Sequence, residues 1–212
     1  MAADVRYLAS GGARAAAVVS ADAGFFGLVA DRVELVPDVQ PCRPGRFCLR
    51  ELPPLRAALD GLTGMTLLVA GGFAGLDPDG RPGPGAHVHA GFAVPVIGVA
   101  KSALRAAARA VPVLRGTLAR PLYVTAAGMP RTDAAGLVGR MAGRHRRPGA
   151  LGRAGYPRPQ RAASVAVTLT CPAHHGHNRQ QRASAVAHGP AAVPDARSRA
   201  ASVIRPGPRW PA

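Results

Sequence analysis

The sequence is poor in several residue types, and each shortage narrows what the chain can be. Aromatic residues make up 4% of its 212 positions, so any core must be built from aliphatic and small side chains. There is a single lysine, Lys101, against 26 arginines, and there are only two glutamates, Glu34 and Glu51. The three cysteines, Cys42, Cys48 and Cys171, are odd in number and show no paired spacing. That argues against a disulfide framework and fits a reducing compartment. No apolar run reaches the roughly 20 residues needed to span a bilayer. The first residues, Met1 to Tyr7, include Asp4 and lack the charged-then-apolar layout of a secretory leader. A cytoplasmic protein that makes no use of a membrane is the expectation.

What is abundant is positive charge, and it is unevenly placed. Up to Asp133 there are 14 Lys and Arg against 10 Asp and Glu, a balance of +4. From Ala134 onward there are 13 Arg and one acid, Asp195, a balance of +12, and the two sums recover the net +16. The first part has an ordinary globular composition. The second would attract any polyanion, nucleic acid included, whatever the rest of the chain does. The arginine bias together with much Ala, Gly and Pro is the mark of a GC-rich coding sequence and carries little functional information by itself.

Periodicity divides the chain in the same place. Asp4 to Leu8 reads as a strand, Gly11-Gly12 as a turn, Ala13 to Ser20 as a second strand, and Phe25 to Val39 as holding a third. Pro41, Pro44 and Gly45 break the chain into a loop. Leu55, Ala58, Leu59 and Leu62 recur at helical spacing within Arg50–Leu62, with Pro53 and Pro54 assigned to the first turn, where a missing N–H costs nothing. Thr66 to Ala70 and Pro95 to Ala100 are apolar runs suited to buried strands, separated by a Gly- and Pro-rich loop over Gly71 to Gly85. Ser102 to Ala110 is expected to be helical, Arg120 to Ala127 a strand, and Thr132 to Ala142 a helix with Asp133 at its positive end. Antiparallel strands followed by strands alternating with helices predict an α/β domain with a mixed sheet, residues 1–142. Beyond Gly143 no apolar period lasts, and residues 143–212 are expected to be a largely disordered Arg-, Ala- and Pro-rich tail. Cys171, His174, His175 and His177 in that tail are zinc-compatible in type but not in spacing.

Chemistry on a phosphodiester by two metal ions needs several acids at strand ends converging on Mg²⁺. Taken alone, Asp4 on the first strand is a surface acid and Glu51 a helix-start residue favoured by the dipole. Lys101 alone is a strand-end charge, and a lone loop histidine such as His87 is ordinarily solvated.

Several segments, taken in order, alter that weighing. Pro41-Cys42-Arg43-Pro44-Gly45 followed by Arg46-Phe47-Cys48-Leu49-Arg50-Glu51 resembles the Pro-Tyr-Ile-Pro-Gly loop and Phe-Arg-Glu segment of the endonuclease V family. Asp77-Pro78-Asp79-Gly80-Arg81-Pro82-Gly83, then Gly85-Ala86-His87, resembles that family's central loop. Pro95-Val96-Ile97-Gly98-Val99-Ala100-Lys101 is similar to its Gly-Val-Ala-Lys strand end, and Arg120-Pro121-Leu122-Tyr123-Val124 to the next strand. One register holds from Asp4 to about Arg147. The resemblance implies a ribonuclease H-like mixed sheet flanked by helices and Mg²⁺ (or Mn²⁺) as cofactor. It implies DNA or RNA containing inosine as partner, and hydrolysis of the second phosphodiester bond on the 3′ side of deoxyinosine, in DNA repair. A monomer is expected.

By the same resemblance Asp4 and Glu51 match metal ligands, and Lys101 an active-site lysine acting as a point charge near the scissile phosphate. Cys42, Pro44, Gly45, Gly85 and His87 match positions that touch nucleic acid. The pattern is also broken. Gly71 stands where an acidic metal ligand is expected, with Asp77 six residues further along the loop, and Gly155 stands where an Asp or His is expected. Cys42 replaces the tyrosine that wedges into the base stack, and a thiol cannot fill the gap left by an extruded base. The resemblance therefore implies an endonuclease, with a catalytically impaired relative that only binds nucleic acid as the alternative.

Overall fold

The computed structural model describes residues 1–42, 47–76, 82–104, 109–117 and 119–156. Seven strands run in chain order as β1 (Ala2–Tyr7), β2 (Ala13–Ser20), β3 (Leu28–Val36), β4 (Leu68–Gly71), β5 (Val96–Ala100), β6 (Val111–Val113) and β7 (Leu122–Ala127). Four helices accompany them: α1 (Phe47–Leu59), α2 (Pro84–Phe92), α3 (Arg131–Arg140) and α4 (Gly149–Gly155). The sheet order is β3-β2-β1-β4-β5-β7-β6. The first three strands form an antiparallel meander, β1, β4 and β5 are parallel, and β7 and β6 return antiparallel. This is the mixed α/β sheet with flanking helices that the sequence predicted.

Alternation along the strands sorts side chains onto two faces, because successive residues of a strand point opposite ways. Ala2, Ala16, Val18, Val69, Ile97 and Val124 turn to one face and are covered by α3 and α4 through Ala134, Val138, Ala150, Leu151 and Ala154. Ala3, Ala15, Ala17, Leu68 and Val96 turn to the other, under Leu55, Ala58 and Leu59 of α1 and Val88 of α2. Alanine dominates β1 and β2, and so the helices can lie close to the sheet without aromatic filler.

The structure corrects four local expectations. Helix α1 begins at Phe47 rather than Arg50, which places Pro53 and Pro54 inside it and removes two N–H donors from its ladder. Burial of Pro54, Leu55, Ala58 and Leu59 against the sheet holds it helical nonetheless. Helix α2 occupies a stretch that carried no predicted element, beginning at Pro84 within the predicted loop; Pro84 sits in its first turn, where proline is tolerated. Ser102 to Leu104 and Arg109 are not helical, and Val111–Val113 forms the short edge strand β6 instead. Finally, residues 143–156 are not tail: α4 lies in this span and puts Ala150, Leu151 and Ala154 into the core. Its small residues gave no apolar period, but they suit a helix pressed onto an alanine-lined sheet. The rest of the predicted tail, including Cys171 and the nearby histidines, lies outside the described residues.

Candidate functional site

The C-terminal end of β4 lies beside the first half of the parallel strand β1, with Ala3 opposite Ala70, so that Asp4 and Gly71 are neighbours where β4 ends. A Cβ placed on Gly71 would collide with the Asp4 carboxylate: Asp4 occupies the space that a side chain at 71 would fill. From one flank, a Cβ on Gly155, in α4, would stand 2.6 Å from Asp4 Oδ2. From the other, α1 brings in Glu51, whose Oε1 is 3.9 Å from a Cβ placed on Gly72. Asp4, Gly71 and Gly155 thus meet at one place, although they sit on three different elements, and Glu51 reaches the adjoining Gly72.

The two acids have different surroundings. Glu51 is 7% exposed. Burial, and then the nearby Asp4 carboxylate, push its carboxyl up to about 8 against the weaker opposing pull of Arg50. The shift favours the protonated form of the Glu51 carboxyl. Asp4 instead makes an ion pair with the Arg147 guanidinium through Nη2 and Oδ2. A Cβ on Gly155 would also lie 2.6 Å from Arg147 Nη1, so the missing side chain at 155 is what lets this arginine in.

Arg147 is delivered by the segment joining α3 to α4, and a second arginine organises that segment. Arg115 is 6% exposed and donates to five main-chain carbonyls: Gly139 at 3.4 Å, Gly143 at 3.1 Å, His145 at 3.2 Å, Arg146 at 3.4 Å, and Met141. Five donors in a rigid fork suit one guanidinium to this task. Burial lowers its pKa from the ordinary arginine value. Beside it Arg146 donates to the Pro121 carbonyl at 2.6 Å and to the Lys101 carbonyl, which ties the segment to the end of β5.

The remaining predicted residues fall as follows. Lys101 is exposed just past the end of β5, on the same edge as Gly71, whose neighbour on β5 is Val99. His87 is on helix α2 rather than in a loop, with its main-chain N–H on the Gly83 carbonyl at 3.2 Å. Gly85 is buried, and a Cβ there would meet Ala74 at 2.8 Å, so its small size serves the packing of α2. Cys42 is exposed. Pro44, Gly45 and Asp77 lie outside the described residues.

Near Cys42, the Arg50 guanidinium stacks on the Tyr7 ring at 3.7 Å, a pair that the sequence did not single out. Burial, reinforced by Glu51, pushes the Tyr7 phenol well above its ordinary range. Its hydroxyl is buried without a hydrogen-bond partner among the described residues. Arg147 and Arg115 were missed as well. Arg147 belongs to the run Arg144-His145-Arg146-Arg147, which lies where the family register ends and was given no role.

A mixed seven-stranded sheet in this order, covered by helices on both faces, is a ribonuclease H-like fold. The family model for endonuclease V matches residues 1–150, and the chain belongs to that family. It is similar to the endonuclease V of Azotobacter vinelandii, at 36% identity over 101 residues that make up 48% of this chain and 46% of that protein. The match therefore spans about half the length of that relative. Among solved structures, endonuclease V from Streptomyces avermitilis is 28% identical with a TM-score of 0.59, covering 72% of this chain and 76% of the other. A variant of Ciona intestinalis endonuclease V, solved with a DNA containing an inosine, shares the fold at a TM-score of 0.63 and 18% identity, covering 72% and 80%.

The donor set can be compared with what a divalent cation requires. Among the described residues no group of three or more Asp, Glu, His or Cys side chains is placed to hold a metal ion. Of the two acids, Asp4 is paired with the Arg147 guanidinium and Glu51 is buried. Mg²⁺ demands near-octahedral oxygen coordination, and a carboxylate already paired with a guanidinium is a poor ligand for it. The described residues do not fit one.

Proposed function

We propose that this chain recognises nucleic acid containing deoxyinosine at the site shared with its family and holds it without completing phosphodiester hydrolysis. The observation that carries this reading is the occupancy of the sheet end. Positions 71 and 155 offer no carboxylate, and the Asp4 carboxylate they flank is neutralised by Arg147. What remains is a neutral-to-positive surface. Lys101 is exposed at one side, and Arg144 and His145 are exposed on the segment that carries Arg147. Such a surface suits a polyanion. The Tyr7–Arg50 stack beside Cys42 adds an aromatic and cationic face near the loop that in the family wedges into the base stack.

A second reading, metal-dependent hydrolysis of the second phosphodiester bond 3′ to deoxyinosine in DNA repair, has one observation in its favour. Glu51 lies near enough to feel the Asp4 charge, and Mg²⁺ can be held by one or two carboxylates with water and substrate phosphate. A nicking and binding assay separates the two. The full chain and its Gly71→Asp variant are given a labelled single-inosine duplex and the adenosine control at low salt, with Mg²⁺, Mn²⁺ or a chelator. The first reading expects retention of the inosine duplex over the control and no cut by the wild-type chain. A wild-type cut one nucleotide beyond the inosine, abolished by the chelator, would overturn it and establish the second.

A further inference from the structure

Two missing side chains and one intruding cation form a single arrangement. The space of a side chain at 71 holds the Asp4 carboxylate. The space of a side chain at 155 holds both Asp4 Oδ2, at 2.6 Å, and the Arg147 guanidinium, at 2.6 Å from Nη1 and 2.7 Å from Nη2. A Cβ at 155 would force the guanidinium or the carboxylate to shift. The ion pair thus depends on both glycines, and it closes over the position where the resemblance puts a metal ion. The approach of Arg147 is itself built: Arg115 fixes the carbonyls of residues 139, 141, 143, 145 and 146, and Pro148 begins α4 immediately after.

We propose that Arg147 is the resident cation of this site, standing in place of a divalent metal ion, and that its remaining N–H donors take a phosphate oxygen of bound nucleic acid. The inference rests on the reading that the site engages nucleic acid. A guanidinium has five donors in a planar fork. The structure shows Arg147 using a donor on Nη2 for Asp4. The side chains of Arg147 and Asp4 are each 18% exposed, so the pair is sheltered but open to an incoming ligand. Asp4 and Arg147 together carry no net charge, and a divalent cation entering beside the guanidinium meets repulsion rather than a cage of oxygens. A phosphate meets a fixed donor fork, flanked at the end of β5 by exposed Lys101. Charge-assisted bonds of this kind are the stronger class of hydrogen bond, and the arginine fork matches phosphate geometry.

The test uses the full chain in two measurements. In the first, thermal unfolding of the wild type, Arg147→Gln and Arg147→Lys is followed in chelator and in millimolar Mg²⁺ or Mn²⁺. The wild-type midpoint is expected not to move with metal, because a ligand that does not bind the native state cannot stabilise it. In the second, binding of the inosine duplex is followed by fluorescence anisotropy in chelator across a salt series. Arg147→Gln is expected to weaken binding about tenfold and to lower the slope of log affinity against log salt by about one phosphate contact. Arg147→Lys, which keeps the charge but loses the fork, is expected to retain the wild-type salt slope. Saturable stabilisation of the wild type by either metal would overturn the inference, as would an Arg147→Gln variant with unchanged affinity and slope. If Arg147→Gln does not fold, the wild-type metal titration and the lysine variant still decide the matter. Equal binding of inosine and adenosine duplexes would overturn the functional reading instead, while the metal titration and the salt slope would still decide the role of Arg147.

Discussion

Replacing Glu51 by glutamine tests the electrostatics of the site most directly. The Glu51 carboxyl is raised from an ordinary 4.5 to about 8, first by burial and then by Asp4. Between those two values the folded chain keeps a proton that the unfolded chain has released. The folded state therefore binds more protons than the unfolded one, and stability must fall as pH rises through that window. The contribution is fully present below about pH 4.5 and is lost as pH climbs to about 8, at about 1.4 kcal/mol per pH unit within the window. Between about pH 5 and pH 7.5 that amounts to roughly 3 kcal/mol. A neutral amide of nearly the same shape cannot ionise, so Glu51→Gln should lose this slope and gain on the wild type progressively with pH. The assay is urea unfolding followed by far-UV circular dichroism, in chelator, for both proteins at several pH values from about 5 to about 8, with the two profiles subtracted so that every other titrating group cancels. Parallel profiles would refute the reasoning: they would mean that Glu51 is already ionised in the folded chain across this range.

Two further perturbations probe what places the site. Arg115→Met strands five carbonyls near the core and is expected to cost about 3 kcal/mol in urea unfolding; it should also raise amide exchange over residues 139–147, whereas a change confined to β6 would argue against its role as organiser. Gly98 lies in β5 beneath the crossing segment after β4, where an added Cβ would stand 2.7 Å from Thr125 Oγ1 and 2.8 Å from the Phe73 carbonyl carbon. Gly98→Ala is expected to destabilise by about 1–3 kcal/mol and to disturb the Ala74 N–H bond to Thr125 Oγ1 at 2.8 Å; a neutral variant would show that the segment can rise without cost.

Where local residues carried the signal, the sequence was readable. Ala13–Ser20 emerges as a strand with the predicted bounds because its small and β-branched residues alternate between two buried faces. The β5 run, Val96–Ala100, is apolar throughout because it is buried on both sides of a central strand. The order of the family segments, from Asp4 to the end of the fifth strand and beyond, carried the fold class and marked Gly71 and Gly155 as departures. Other parts left no apolar period. Helix α4 is made of Gly, Ala, Leu and Arg inside a basic stretch, and it is helical because it packs on alanines of β1 and β2, which no window of sequence contains. Strand β6 is three residues long and exists only as a partner for β7.

The site divides in the same way. Sequence alone determined the residue types: two acids, two glycines where acids were expected, and one lysine at a strand end. The tertiary structure decided that Asp4 and Arg147, 143 positions apart, form an ion pair in the space those glycines leave. An ion pair of that separation is encoded by no local pattern. It forms because the sheet sets β1 beside β4, and because Arg115 holds the segment that brings Arg147 to Asp4 where β4 ends.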